Sequence, residues 1–162
     1  VDEMVVSYSC SKNFGLYRDR IGAVMVLGKN QTAAEASSSH ITNIARQIYS
    51  MPPASGGAIV KTILQNPELY KSWKQELDEM RERINDLRII FADTLAEKNS
   101  SVDFSFVKKQ YGMFSFLGLS KDQIQRLRDE YSIYMVGSSR ANVAGISPKN
   151  IDYLTDAIIS VL

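Results

Sequence analysis

Cysteine, histidine and tryptophan each occur once in these 162 residues, as Cys10, His40 and Trp73. A single cysteine excludes an internal disulfide and suits a reducing, cytoplasmic compartment. One histidine and one cysteine fall short of a zinc site of ordinary ligand spacing, so no metal is expected. Ser9 and Ser11 have no histidine near them, which argues against a hydrolase triad. Cys10 reads as a small space-filler and His40, on a polar stretch, as a solvated side chain. Charge of one sign is also scarce: nineteen basic residues against eighteen acidic ones leave a net charge of +1. Without a basic stripe, neither nucleic acid nor a membrane surface is an expected partner. No apolar run reaches the length that crosses a bilayer, and nothing at the start resembles a signal peptide. The chain opens at Val1 rather than at methionine, with Met4-Val5-Val6 close behind, and is expected to be a cut through a larger protein.

What is present is a globular composition, 44% hydrophobic and 23% charged. Met4 to Tyr8 reads as a short strand running into a polar turn. Gly22 to Leu27 (GAVMVL) is a continuous apolar run, as expected of a strand covered on both faces. Thr32 to about Tyr49 has helical spacing through Ile41, Ile44 and Ile48, and Met51-Pro52-Pro53 breaks it before a second helix from Ala58 to Gln65. Asn66 as cap, Pro67 at the first position and Glu68 at the positive end then open a long helix over 67–98. Its stripe is Leu69, Trp73, Leu77, Met80, Ile84, Leu87, Phe91 and Leu95, with Lys74 and Asp78, and Glu79 and Arg83, one turn apart on the other side. Trp73 and Phe91 read as core. Beyond Asn99 a period of two predicts an antiparallel hairpin, Phe104–Val107 with Met113–Phe116. Ser120-x-x-Gln123 is a capping box opening a helix to Glu130. Tyr131–Val136 and Arg140–Val143 read as strands about a Gly137-Ser138-Ser139 turn. A last helix starts at Ser147-Pro148, with Ile151, Leu154, Ile158 and Val161 inward.

The chemistry is concentrated between Ser9 and Gly22, in Ser9-Cys10-Ser11-Lys12-Asn13-Phe14-Gly15-Leu16-Tyr17-Arg18-Asp19-Arg20-Ile21-Gly22. A lysine in a polar turn at a strand end is placed to form a Schiff base with an aldehyde. The hydroxyls of Ser9 and Ser11, with a guanidinium at Arg20, have the donors that hold a phosphate dianion. A phosphorylated aldehyde cofactor needs both functions side by side. This stretch resembles the lysine motif of class I aminotransferases that use pyridoxal 5'-phosphate (PLP), and the resemblance to the aspartate and aromatic-amino-acid type runs the length of the chain. It implies that Lys12 anchors PLP and shuttles the proton at the substrate alpha carbon, and that Ser9 and Arg20 bind the cofactor phosphate.

Arg140, in Ser138-Ser139-Arg140-Ala141-Asn142-Val143-Ala144-Gly145, has the fork geometry for bidentate capture of a carboxylate. The resemblance assigns it the alpha-carboxylate of every substrate. Arg46 precedes Tyr49-Ser50-Met51-Pro52-Pro53, and by the same resemblance it reaches into a neighbouring subunit's site and pairs with the second carboxylate of aspartate or glutamate. That implies a homodimer with shared sites. Met51 departs from the small polar residue the resembling enzymes carry there; a flexible apolar side chain suits aromatic substrates too, so the preference between aspartate and aromatic substrates stays open.

The implied fold is α/β, a PLP-dependent transferase fold of the aspartate aminotransferase type, truncated. Residues 1–79 form the carboxy-terminal part of a large, mostly parallel PLP-binding domain, and residues 80–162 a small α+β domain, joined by the long helix. The implied reaction moves an amino group between an aspartate/glutamate or aromatic amino acid and a 2-oxo acid. Only Asp2 and Glu3 precede Lys12 as acids, and neither matches the family's partner for the pyridine nitrogen, so the 162 residues alone are expected to be inactive and to bind PLP weakly at best. Without neighbouring strands the cut face exposes apolar surface, so self-association is expected. Two alternatives stand beside this: acyl transfer or beta-elimination on a related fold, and a non-catalytic remnant serving as an interaction or regulatory module.

Overall fold

Met4–Ser9 (β1) and Gly22–Leu27 (β2) pair antiparallel, with Met4 opposite Leu27 and Ser9 opposite Gly22. Their β-branched and apolar residues favour the extended chain. The computed structural model describes residues 1–162. The expectation that GAVMVL is covered on both faces does not hold for these residues, since Val24, Met25 and Leu27 are each about half exposed. A sheet of two strands offers too few layers to bury both faces of either strand.

Asn30 opens α1 (Gln31–Tyr49), its Oδ1 accepting from Ala33 N at 2.9 Å. α1 lies against β2, and Gly28 permits the approach, because a Cβ there would stand 2.6 Å from Ala34 N. Of the stripe read in α1, Ile44 and Ile48 are exposed. After the prolines, α2 spans Ser55–Gln65. Asn66 caps α3 (Pro67–Glu97), its Oδ1 accepting from Glu68 N at 3.0 Å and Leu69 N at 3.1 Å. Within α3 the chain divides into two compact units, Val1–Leu77 and Asp78–Leu162.

The second unit holds a continuous apolar core. Leu87, Phe91 and Leu95 of α3 are buried one turn apart, and Phe91 meets Phe104 edge-on at 6.2 Å between ring centres. The predicted hairpin is absent. Residues Ser105–Lys109 form a 3₁₀ turn instead, which buries Phe104 and Val107 on one side, and Asp103 fastens its start by accepting from Ser105 N at 2.8 Å. Three-residue spacing between two buried side chains is what such a turn provides and an alternating strand does not. Phe114–Phe116 (β3) pairs antiparallel with Arg140–Asn142 (β4), Phe116 standing opposite Arg140.

Ser120 and Gln123 close the capping box that opens α4 (Lys121–Tyr131). The helix stops at Ser132, left-handed at φ 53°, and Ile133 N returns to Leu127 O at 2.9 Å. The strand read over Tyr131–Val136 does not form. Met135 is buried and Tyr134 exposed, so the alternation is real, yet the segment has no ladder partner. The last helix, α5, runs Ile151–Val161 and begins later than Ser147-Pro148, because Ser147 N donates to Asn150 Oδ1 at 2.8 Å in a turn ahead of it. Lys98, just past α3, grips Asp152 and Asp156 of α5 at 3.2 and 2.7 Å.

Candidate functional site

Strand pairing brings the two ends of the lysine loop together. Cys10 N donates to Ile21 O at 3.0 Å, and Cys10 O accepts from Phe14 N at 3.3 Å and Leu16 N at 3.4 Å. Cys10 is buried at this neck, as its space-filling reading requires. Gly22 allows the strands to meet so closely: a Cβ there would stand 2.3 Å from Tyr8 O. α2 closes against the same loop at Gly56, where a Cβ would meet Asp19 Cβ at 2.8 Å.

On this frame Ser9 Oγ donates to Ser11 Oγ at 3.0 Å and accepts from Ser11 N at 3.2 Å, so the two hydroxyls sit side by side. Lys12 is exposed, its ammonium 4.0 Å from the centre of the Tyr17 ring. Arg20 Nη1 donates to Tyr17 O at 3.0 Å. Tyr17 therefore holds both cations, one over its ring and one on its carbonyl. Arg20 has a φ of 50°, left-handed for a residue with a side chain, and such strain persists where surrounding structure imposes it. Trp73 braces the turn from behind. Its ring stacks on Phe14 at 4.5 Å and 11°, and its Nε1 donates to Asn13 O at 2.8 Å. The sequence marked Trp73 as core; it is half-buried and its indole is used for this contact. Two hydroxyls, an amine and a guanidinium on one solvent-reachable loop suit a phosphate dianion and an aldehyde, so the donors fit PLP.

Arg46 stands on a different element, the last turn of α1, where it is exposed and lines a shallow groove with Glu35, Ser38, Thr42 and Asn43. Arg140 belongs to the second unit. It opens β4, exposed, with its Cζ 4.6 Å from the centre of the Phe114 ring. Ser139 fixes where β4 begins: it is buried, its Oγ accepts from Leu119 N at 2.9 Å and its carbonyl accepts from Leu117 N at 3.0 Å. Arg140 rims a cavity of ≈ 430 Å³ whose walls include Phe114, Ile133, Met135 and Leu154.

Arg88 lines that cavity as well and was not singled out by the sequence reading. It is only 1% exposed. Its Nη1 donates to Val107 O at 3.3 Å and to Ser115 Oγ, and its Nη2 to Gly112 O at 2.6 Å and Phe114 O at 3.0 Å. None of these acceptors is a carboxylate, and burial pulls the guanidinium below its ordinary pKa. A signal was available: Arg88 follows Ile84 by four residues and precedes Phe91 by three, on the apolar side of α3.

Residues 1–158 match the model of a family described as "Aminotransferase class I and II". The chain is 48% identical over 160 residues to an aspartate aminotransferase of Salmonella typhi, covering 99% of this chain and 40% of that protein. It is 45% identical over 159 residues to an aromatic-amino-acid aminotransferase of Pseudomonas aeruginosa, covering 98% and 40%. Among solved structures, an aromatic-amino-acid aminotransferase from Burkholderia pseudomallei, covalently bound to pyridoxal phosphate, superposes with a TM-score of 0.86 at 42% identity, over 98% of this chain and 40% of that one. The chain thus spans about 40% of the length of these relatives.

Proposed function

This chain belongs to the class I and II aminotransferases, and from that premise we propose that the whole protein moves an amino group between an aspartate/glutamate or aromatic amino acid and a 2-oxo acid, with PLP as cofactor. The observation that carries the reading is the loop in which Tyr17 holds Lys12 and Arg20 and the hydroxyls of Ser9 and Ser11 pair with each other. When bound, PLP supplies the aldehyde that takes the amino group and the electron sink that eases loss of the alpha proton.

Each residue then has one task. Lys12 gives the amine for covalent attachment, and its Nζ takes and returns the proton at the substrate alpha carbon. Ser9 and Arg20 hold the phosphate with a hydroxyl and a guanidinium. Arg140 takes the alpha-carboxylate through its planar fork. Arg46 pairs with the second carboxylate of a dicarboxylic substrate across the interface of a homodimer, and Met51, five residues on, suits aromatic side chains as well. Residues 1–79 close the large PLP-binding domain, residues 80–162 form the small one, and the enzyme is cytoplasmic. No helix is long and apolar enough to cross a membrane.

In the protein expressed from its complete gene, borohydride reduction with PLP and peptide mapping should place the label on Lys12. Lys12→Ala should lower amino transfer from aspartate or tyrosine by at least about a hundredfold. A label on another lysine, or transfer unaffected by the substitution, overturns the reading. Residues 1–162 alone are expected not to turn over and to bind PLP weakly at best, because they offer only Asp2 and Glu3 ahead of Lys12 as acids for the pyridine nitrogen. A stoichiometric reduced adduct at Lys12 in that 162-residue polypeptide would contradict this.

A further inference from the structure

We infer that Arg88 is a positioning residue for Arg140: its buried guanidinium fixes the backbone of β3, and the Phe114 ring carried there aims Arg140 at the substrate carboxylate. The inference rests on the reading of Arg140 as the group that takes that carboxylate.

A guanidinium taken out of water is costly unless its donors are satisfied, and an apolar side chain of similar volume fills the same space more cheaply. Arg88 is buried nonetheless, and its bonds gather Val107 O, Gly112 O, Phe114 O and Ser115 Oγ around one rigid fork. Gly112 O, Phe114 O and Ser115 Oγ lie in and just before β3, and Val107 O in the 3₁₀ turn ahead of it. β3 and β4 are three residues each, with Phe114 opposite Asn142 and Phe116 opposite Arg140. A two-stranded ribbon this short does not hold its own position, so an anchor outside the ribbon decides where it lies. α3 supplies that anchor twice. Arg88 takes the β3 side, and Arg83 donates to Ala144 O and Ile146 O at 3.3 Å just beyond β4.

Arg140 is exposed and rests on the Phe114 ring at 4.6 Å. Bidentate capture of a carboxylate depends on the plane of the guanidinium, and displacement by an ångström lowers such a contact steeply. The line of action therefore runs from Arg88 to the Phe114 carbonyl, from the ring to Arg140, and from there to substrate.

The test uses the protein expressed from its complete gene, with 3-phenylpropionate as a carboxylate probe and tyrosine as amino donor. Arg88→Lys keeps the charge and loses the fork. It should raise the probe's Kd and the KM for tyrosine about tenfold while kcat stays within about twofold. In an Arg140→Lys background the same substitution should add nothing further, because its effect passes through Arg140. Should Arg88→Lys fail to fold, Ser115→Ala, which removes one acceptor of Arg88, carries the same test with a rise of about threefold that also vanishes beside Arg140→Lys. Effects that multiply with Arg140→Lys, or a fall in kcat with unchanged KM, overturn the inference. If Arg140→Lys alone leaves probe binding unchanged, the carboxylate reading of Arg140 is itself refuted, whatever the Arg88 variants do.

Discussion

Gly22 faces Tyr8 O across β1 and β2, where a methyl group would stand at 2.3 Å from a backbone atom. Nothing flexible is there to give way, so Gly22→Ala must part the strands at the end that carries Ser9. It should destabilise the protein by about 1–3 kcal/mol, read from the shift in a urea unfolding midpoint. A change within about 0.5 kcal/mol would show that the ladder yields without cost. Gly15 has no atom within 4 Å of such a methyl group and only its φ of 68° to defend, so Gly15→Ala should cost about 1–2 kcal/mol. The residues proposed to handle cofactor and substrate were picked out because each sits in a dense motif. Tyr17 was not picked out, since it acts through its ring and carbonyl, and Arg88 was passed over although its place on the apolar stripe of α3 marked it.

Among the elements, the 3₁₀ turn at Ser105–Lys109 has a titratable clasp. Asp103 Oδ1 accepts from Ser105 N at 2.8 Å and its Oδ2 accepts from Ser105 Oγ at 2.9 Å, and these bonds hold the carboxyl below the ordinary aspartate range. Folding therefore favours the carboxylate. The clasp contributes fully above the unfolded aspartate pKa, and its contribution is lost as pH falls through the lower folded value. Asp103→Asn should accordingly destabilise the wild-type fold more at about pH 6 than at about pH 3. Equal losses in urea unfolding at both pH values would rule the clasp out. The starts of α3 and α4 were read well, because Asn66-Pro67-Glu68 and Ser120-x-x-Gln123 state their caps locally, whereas those of α2 and α5 were misplaced by about a turn. Strands were read less well. The alternation at Tyr131–Val136 is kept in burial without any ladder, and Phe104 with Val107 belongs to a turn. Whether an alternating segment finds a partner depends on residues far away in sequence, which no local pattern contains.

For the molecule as a whole, burial is unequal. Within Val1–Leu77 only Cys10 and Gly56 are buried, whereas Asp78–Leu162 encloses a core from Leu87 to Val161. Hydrogen exchange of the 162 residues should then show its slowest amides in α5 and the Leu87–Leu95 stretch of α3, with β1 and β2 exchanging sooner. Amides of β1 or β2 that outlast those of α5 would contradict this ordering. The placement of Arg83 and Arg88 on a single helix also has a consequence for descent. One residue gained or lost between them would turn the later guanidinium by roughly 100° and move it about 1.5 Å along the axis, so both could not keep their carbonyls. Between Arg83 and Arg88, therefore, α3 can diverge only by substitution.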